Sequence, residues 1–223
     1  MTDETVQDDL PHADASVEIW QFDAWSEAHE LGLWVEFGWR PHARLAWYAA
    51  VLTPREGPVT LVVDPDISLA TLSPSAEFRA EGIWAQHVCE DPLVHWTVGL
   101  EAFGVHLDQP ADAARDQWGT RAAVGLDVEW ETSSEPERHD GGLLIPSSVH
   151  GEVLIDDRSV DFAGHGRRTR WWSSDDNAAP PDLGDEPGQG TLAIPVRIAC
   201  ASGDRWVRLG LSPSGVWGWR RGG

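Results

Sequence analysis

Stretch after stretch of this chain alternates apolar and polar side chains with a period of two. No segment of ten residues or more carries a helical period. That pattern restricts the fold to strands, because successive side chains on a strand point to opposite faces. The clearest cases are residues 17–26 (VEIWQFDAWS) and 31–40 (LGLWVEFGWR), joined across residues 27–30. In the second, Leu33, Val35, Phe37 and Trp39 share one face and Trp34 and Glu36 the other. Further strands are expected at 45–52, 59–63, 81–89, 93–106, 121–131, 149–155, 159–164, 192–199, 206–211 and 216–219, punctuated by Gly, Pro and acidic residues. About a dozen short strands without helices predict an all-β barrel or sandwich.

One stretch concentrates unusual chemistry: residues 149–173, VHGEVLIDDRSVDFAGHGRRTRWWS. Two apolar-leaning runs flank Asp156-Asp157-Arg158, which is a hairpin signal. The second run enters a corner at Gly164-His165-Gly166 and continues through Arg167, Arg168, Arg170, Trp171 and Trp172. If the segment is extended, Gly164, Gly166, Arg168, Arg170 and Trp172 share one face, and His165, Arg167, Thr169 and Trp171 the other. Such a segment is either a solvated arginine face beside core tryptophans or the lining of a pocket. Missing side chains leave room beside the strand, and an arginine buried there needs a partner. The candidates are the carboxylates of Glu101 and Asp161, or a polar group of a ligand. A carboxyl group in an apolar pocket can also serve as a general acid. The bland alternative is that both carboxylates face water.

Composition excludes whole classes of function. A formal net charge of −21 and a pI near 4.5 oppose binding to nucleic acid or anionic membranes. All 16 basic residues are arginine, which removes Schiff-base, pyridoxal-phosphate and P-loop lysines. No HxH, HExxH or CxxC spacing occurs, so neither a metal nor another cofactor is expected. His87 and His95 sit on facing arms of a hairpin about Glu90-Asp91-Pro92. With Cys89 opposite Val94 they point opposite ways. Cys89 and Cys200 form no disulfide framework and are expected to be reduced. Residues 1–16 are acidic and polar and predict a disordered tail rather than a signal peptide. No apolar run reaches a membrane span, so a cytoplasmic location is expected. Residues 175–190 predict an exposed acidic loop. Fourteen tryptophans stand against one tyrosine, Tyr48. Rings of that kind can fill a core or line a cavity for a large apolar ligand.

The order of four segments resembles a lipocalin-like, calycin-type bacterial family related to hydroxyneurosporene synthase, a carotenoid hydratase. The segments are residues 20–41, 94–110, 118–132 and 149–173. The family's mark is a glycine-rich strand end followed by Arg-Asp-x-Ser-Trp-Gly. Gly164, Gly166, Arg168 and Trp172 match it, while Thr169, Trp171 and Ser173 depart from it. The resemblance implies a lipocalin-like β-barrel, or two packed antiparallel sheet halves meeting near residues 108–120, over residues 17–223. It implies a large apolar ligand such as an isoprenoid, polyketide or lipid-like molecule. Arg168 would act as an electrostatic donor with Glu101 and Asp161 as acid–base groups. Trp172, Trp171, His165, Trp96, His95, Trp84 and Trp130 would line the pocket. Thr169 cannot donate the proton that an acid there would supply, which favours binding. The alternative is a cofactor-independent hydratase or a Diels–Alderase-like cyclase.

Overall fold

The computed structural model describes residues 6–54, 57–68, 76–108, 119–139 and 142–175, and the backbone of three further strands at 192–198, 205–211 and 217–222. Cys200, residues 109–118 and nearly all of the expected acidic loop lie outside the described residues. The strands are β1 (Val17–Ser26), β2 (Leu31–Arg40), β3 (Leu45–Pro54), β4 (Val59–Ser68), β5 (Ala76–Ala80), β6 (Ile83–Asp91), β7 (His95–Leu107), β8 (Thr120–Thr132), β9 (Glu137–His139), β10 (Gly142–Ile155) and β11 (Arg158–Ser173). Then come β12 (Leu192–Ile198), β13 (Arg205–Leu211) and β14 (Trp217–Gly222), which form a separate three-stranded sheet. The fold is all-β. Among the described residues no helix is long and apolar enough to cross a membrane.

The first eleven strands form one antiparallel sheet that closes on itself. Its ring runs β4-β3-β2-β1-β11-β10-β8-β7 and shuts where Val59, Thr60 and Leu61 pair with Leu107, His106 and Val105. Strand β7 is forked. Its last residues pair with β4, while His95 to Ala102 pair with β6, which carries β5 as an outlying hairpin arm. Closure removes the unpaired edges that an open sheet would expose.

Alternation decides what goes inside. Trp20, Phe22 and Ala24 of β1 point into the barrel with Leu33, Val35, Phe37 and Trp39 of β2. Trp96, Val98 and Leu100 of β7 meet Leu126, Val128 and Trp130 of β8. Apolar and aromatic side chains therefore face the interior. Burying each large side chain contributes roughly 1.5–3 kcal/mol. Strand β2 is buried on both faces, since Trp34 and Glu36 on its outer side are as hidden as its inner residues.

Three local expectations change. Strand β11 continues unbroken through Gly164-His165-Gly166, paired with β1 and β10 there. The glycines serve close approach instead: a Cβ would stand 2.2 Å from the Trp25 carbonyl oxygen at Gly164 and 1.8 Å from that of Asp23 at Gly166. In the β6–β7 hairpin Cys89 pairs with Trp96, not Val94. A shift of two residues leaves each side chain on its own face, so His87 and His95 still point opposite ways. Finally, residues 6–16 are not a free tail. Val6 packs on Leu93, Leu143 and Ile145, and Asp9 is 0% exposed. Leu93 lies in the β6–β7 turn, and this acidic segment lies against the barrel end formed by that turn and the last residues of β11.

Candidate functional site

Two polar clusters face the barrel interior. The first sits at the mouth where β11 ends. Arg168 and Arg170 point inward because they share the phase of Phe162 and Val160, and they lie opposite Phe22 and Trp20. Arg168 is 2% exposed. Its Nη1 donates to both carboxylate oxygens of Asp9, at 2.9 and 3.0 Å. The same carboxylate accepts the Leu93 N–H at 2.7 Å and the Trp96 indole N–H at 2.9 Å. Arg168 Nη2 also reaches the Thr132 hydroxyl at 3.4 Å. One step further out, Arg170 pairs with Glu18 and donates to the Leu10 carbonyl at 3.1 Å and the Trp171 carbonyl at 2.8 Å. Its guanidinium lies 3.6 Å from the Trp20 ring centroid. Burial pushes the Arg170 pKa down to about 10, with Glu18 opposing the shift. Burial, with the Asp9 charge second, pushes the half-buried Cys89 thiol up to about 12, which favours its protonated form.

The second cluster sits deeper. His87 projects inward from β6 with Ile83 and Ala85 and is 0% exposed. Its ring stacks with Phe37, centroid to centroid 4.5 Å at 10°, and with Tyr48, 5.5 Å at 6°. Phe22 and Phe78 complete the shell at 6.2 and 6.1 Å. Neither ring nitrogen of His87 has a hydrogen-bond partner, and neither do the Tyr48 hydroxyl and the Trp39 indole N–H. Burial holds the His87 pKa near 3, so the imidazole is neutral, and raises that of Tyr48.

At the opposite end, the Thr60 hydroxyl meets His106 Nδ1 at 2.9 Å and His106 Nε2 meets Asp156 at 2.8 Å. Asp156 also accepts the Ala123 N–H at 2.9 Å. The His106 hydrogen bond holds the Asp156 carboxyl below its usual range. This hydroxyl–imidazole–carboxylate chain has the form of a nucleophile relay. With Thr60 buried, it ties β4 and β7 to the β10–β11 turn. A recess of about 190 Å³ beside it is lined by Leu31, Pro54, His106, Ile155 and Val160, among others.

The residues singled out in the sequence separate by face. Arg168, Trp96 and Trp130 point inward and lie near one another at the mouth, with half-buried Trp172 stacked on His12 at 4.2 Å. Trp171 faces outward into a small buried cluster with Val17, Ile19 and Trp47. His165, Glu101 and Asp161 are exposed on the outer face. Neither carboxylate partners Arg168, because the alternation of β7 and β11 turns both away from the interior. Glu101 and Trp84 line an outer groove of about 670 Å³ with Phe103 and Leu154. His95 lies on the outer face beside Glu129, its Nε2 3.1 Å from Glu129 Oε2. Ligand atoms of Glu129, Glu131 and His150 lie within 4.8 Å of one another, a donor set that suits a divalent cation. It is an exposed cluster, and exposure of acidic groups alone assigns nothing.

Sequence reasoning missed Asp9, Glu18, Tyr48 and His87 as site residues. The phase of His87 with Ile83 and Ala85 carries a signal for an inward imidazole. Asp9 carries none, because its partners lie 84 to 159 residues away.

No family model and no curated protein matches the chain. Solved structures do match. A protein from Nitrosomonas europaea provisionally named AttH aligns with a TM-score of 0.52 at 13% identity, over 96% of this chain and 71% of its own. CghA, solved with Sch210972, gives 0.40 at 12% identity over 93% of this chain and 57% of its own. The first likeness shows a shared lipocalin-like barrel fold and nothing about activity. The second is too low to carry an argument.

Proposed function

We propose that the barrel binds a large apolar small molecule of isoprenoid, polyketide or lipid-like type in its interior. The observation behind this is the deeper cluster. Buried polar atoms in folded proteins almost always have partners, and an orphan costs about 1–3 kcal/mol. His87 and Tyr48 together leave three such atoms orphaned inside an aromatic shell. A mostly apolar ligand with one hydroxyl, which donates and accepts, or one carbonyl, which accepts, would meet part of that need when the His87 ring turns off the faces of Phe37 and Tyr48. A neutral imidazole suits this role, since it can donate from one nitrogen and accept at the other.

The test uses β-ionone, a small conjugated ketone, with intrinsic tryptophan fluorescence as the readout. Trp20, Trp39, Trp96 and Trp130 all face the interior. Saturable quenching is expected, and His87→Phe should weaken it about tenfold, as for one lost hydrogen bond. Absence of saturable quenching overturns the proposal.

A second reading is a cofactor-independent hydratase or cyclase acting on such a molecule. It draws support from the two inward guanidiniums beside Trp96 and Trp20, which could stabilise charge developing in a bound substrate. Recovery of a converted rather than an intact molecule by mass spectrometry of the purified protein would favour it.

A further inference from the structure

The Asp9 carboxylate occupies a site whose donors come from three unrelated parts of the barrel. The Arg168 guanidinium comes from the end of β11, the Trp96 indole N–H from the start of β7 and the Leu93 N–H from the β6–β7 turn. They make four contacts on one carboxylate, all between 2.7 and 3.0 Å. None of these donors needs Asp9 in order to be placed, since β7 and β11 are fixed by their own ladders. Without an anion, a buried guanidinium would stand beside the Trp96 ring with its charge uncompensated. The arrangement is a carboxylate receptor, and the chain fills it with a residue from its own N-terminal segment.

The receptor is continuous with the apolar interior. Trp96, whose indole N–H reaches Asp9, also packs on Phe22 at 5.7 Å, and Phe22 packs on His87 at 6.2 Å. A carboxylate held by Arg168 would therefore direct its attached chain along Trp96 and Phe22 towards the orphaned polar atoms. Residues 6–16 cover this route through the Asp9 contacts, the contact of Val6 with Leu93, Leu143 and Ile145, and the bonds of Arg170 to Leu10 and His12.

We propose that the ligand of the interior is an apolar carboxylic acid whose carboxylate takes the place of Asp9 on Arg168, Trp96 and Leu93, and that residues 6–16 act as a plug which the ligand displaces. The proposal rests on the apolar-ligand function above and adds the headgroup and the gate. Such competition lowers apparent affinity in the wild type, because the open state is only a fraction of the population.

The test compares cis-parinaric acid with its methyl ester, both read by polyene fluorescence, on the full chain. Asp9→Asn puts an amide N–H among donors and so weakens the plug. It should raise affinity for both by opening the plug, but for the acid about tenfold more than for the ester, and adding Arg168→Met should abolish that difference. Equal binding of acid and ester by Asp9→Asn overturns the carboxylate receptor and leaves the apolar-ligand function standing. Binding of neither overturns both. A second measurement guards against misfolding. Asp9→Ala vacates the site, so sodium acetate should raise its Tm, or restore its fold, where sodium chloride at equal ionic strength does not. No acetate effect overturns the receptor.

Discussion

The mouth of the barrel holds buried charges in ion pairs, whereas its middle holds buried neutral side chains with no hydrogen-bond partner. At the mouth, Asp9 and Glu18 partner Arg168 and Arg170, with backbone groups and an indole completing the contacts. In the middle, His87 and Tyr48 lie in apolar surroundings with no partner at all. A chain that pairs its buried charges at one level, leaving only the Nε atoms of Arg168 and Arg170 without a bond there, leaves whole neutral side chains unpartnered at the next. The difference teaches where stability and where binding reside. Removing a partner at the mouth strands a charge, whereas removing a polar atom in the middle relieves the fold.

The sharpest way to break that contrast is Glu18→Gln. Both partners of the Glu18–Arg170 pair are 1% exposed, so little solvent screening applies. Leaving Arg170 uncompensated between Trp20 and Trp172 should cost about 3–5 kcal/mol. The readout is the urea midpoint at constant slope. The double replacement Glu18→Leu with Arg170→Met, which removes both charges, should recover most of the loss. A single-variant cost below about 1 kcal/mol would mean that the mouth is not buried as described.

The middle should respond with the opposite sign. His87→Phe keeps a flat ring in the stack and removes two orphaned nitrogens, so stability at pH 7.5 should rise by about 1–3 kcal/mol. The effect is also pH-dependent. In the unfolded chain His87 takes a proton near its ordinary 6.5, whereas in the folded barrel it does so only near 3. Between those values the unfolded state binds more protons, and the wild type should lose about 1.4 kcal/mol per pH unit relative to the variant. The penalty is absent above 6.5 and saturates near 3. Urea titrations at pH 7.5, 6 and 5 check it, and parallel acid limbs for the two proteins would contradict a buried neutral imidazole.

Much of this was legible in the residues. Period two placed β1 and β2 to the residue: the inner face of β2 is an unbroken apolar series from Leu31 to Trp39, and that of β1 is apolar from Trp20 to Ala24. The same rule put Arg168, Arg170 and Trp172 on one face of β11 with two glycines. It could not say what Arg168 meets. The Asp9 partner comes from 159 residues away, within a stretch whose polarity gives it no apolar face to predict docking from. Glu101 and Asp161 were chemically suitable partners, but suitability carries no information about which side of a closed sheet a strand turns outward. Ring closure through β4 and β7 decides that, and it depends on only three pairs.

The smallest expected effect separates inside from outside. The outer groove is a genuine competitor, since the register sets Trp84, Glu101, Gly125 and Leu154 in one row across β6, β7, β8 and β10. Gly125 floors the groove, and Trp84 and Phe103 are 44% and 55% exposed. Such a row could hold a flat apolar molecule on the barrel's surface. It lacks what the middle has. Trp84 and Phe103 are each already covered by a guanidinium, Arg79 at 5.6 Å and Arg121 at 3.8 Å, and no orphaned buried polar atom is found among the groove's lining residues. Trp84→Ala and Glu101→Gln should therefore leave β-ionone quenching within about twofold of wild type, and stability within about 0.5–1 kcal/mol as for exposed sites. The quench amplitude of Trp84→Ala drops by the lost fluorophore, so the comparison is of midpoints. A tenfold weakening by Trp84→Ala, with His87→Phe silent, would move the ligand to the outer face and reverse the contrast drawn between the two levels of the interior.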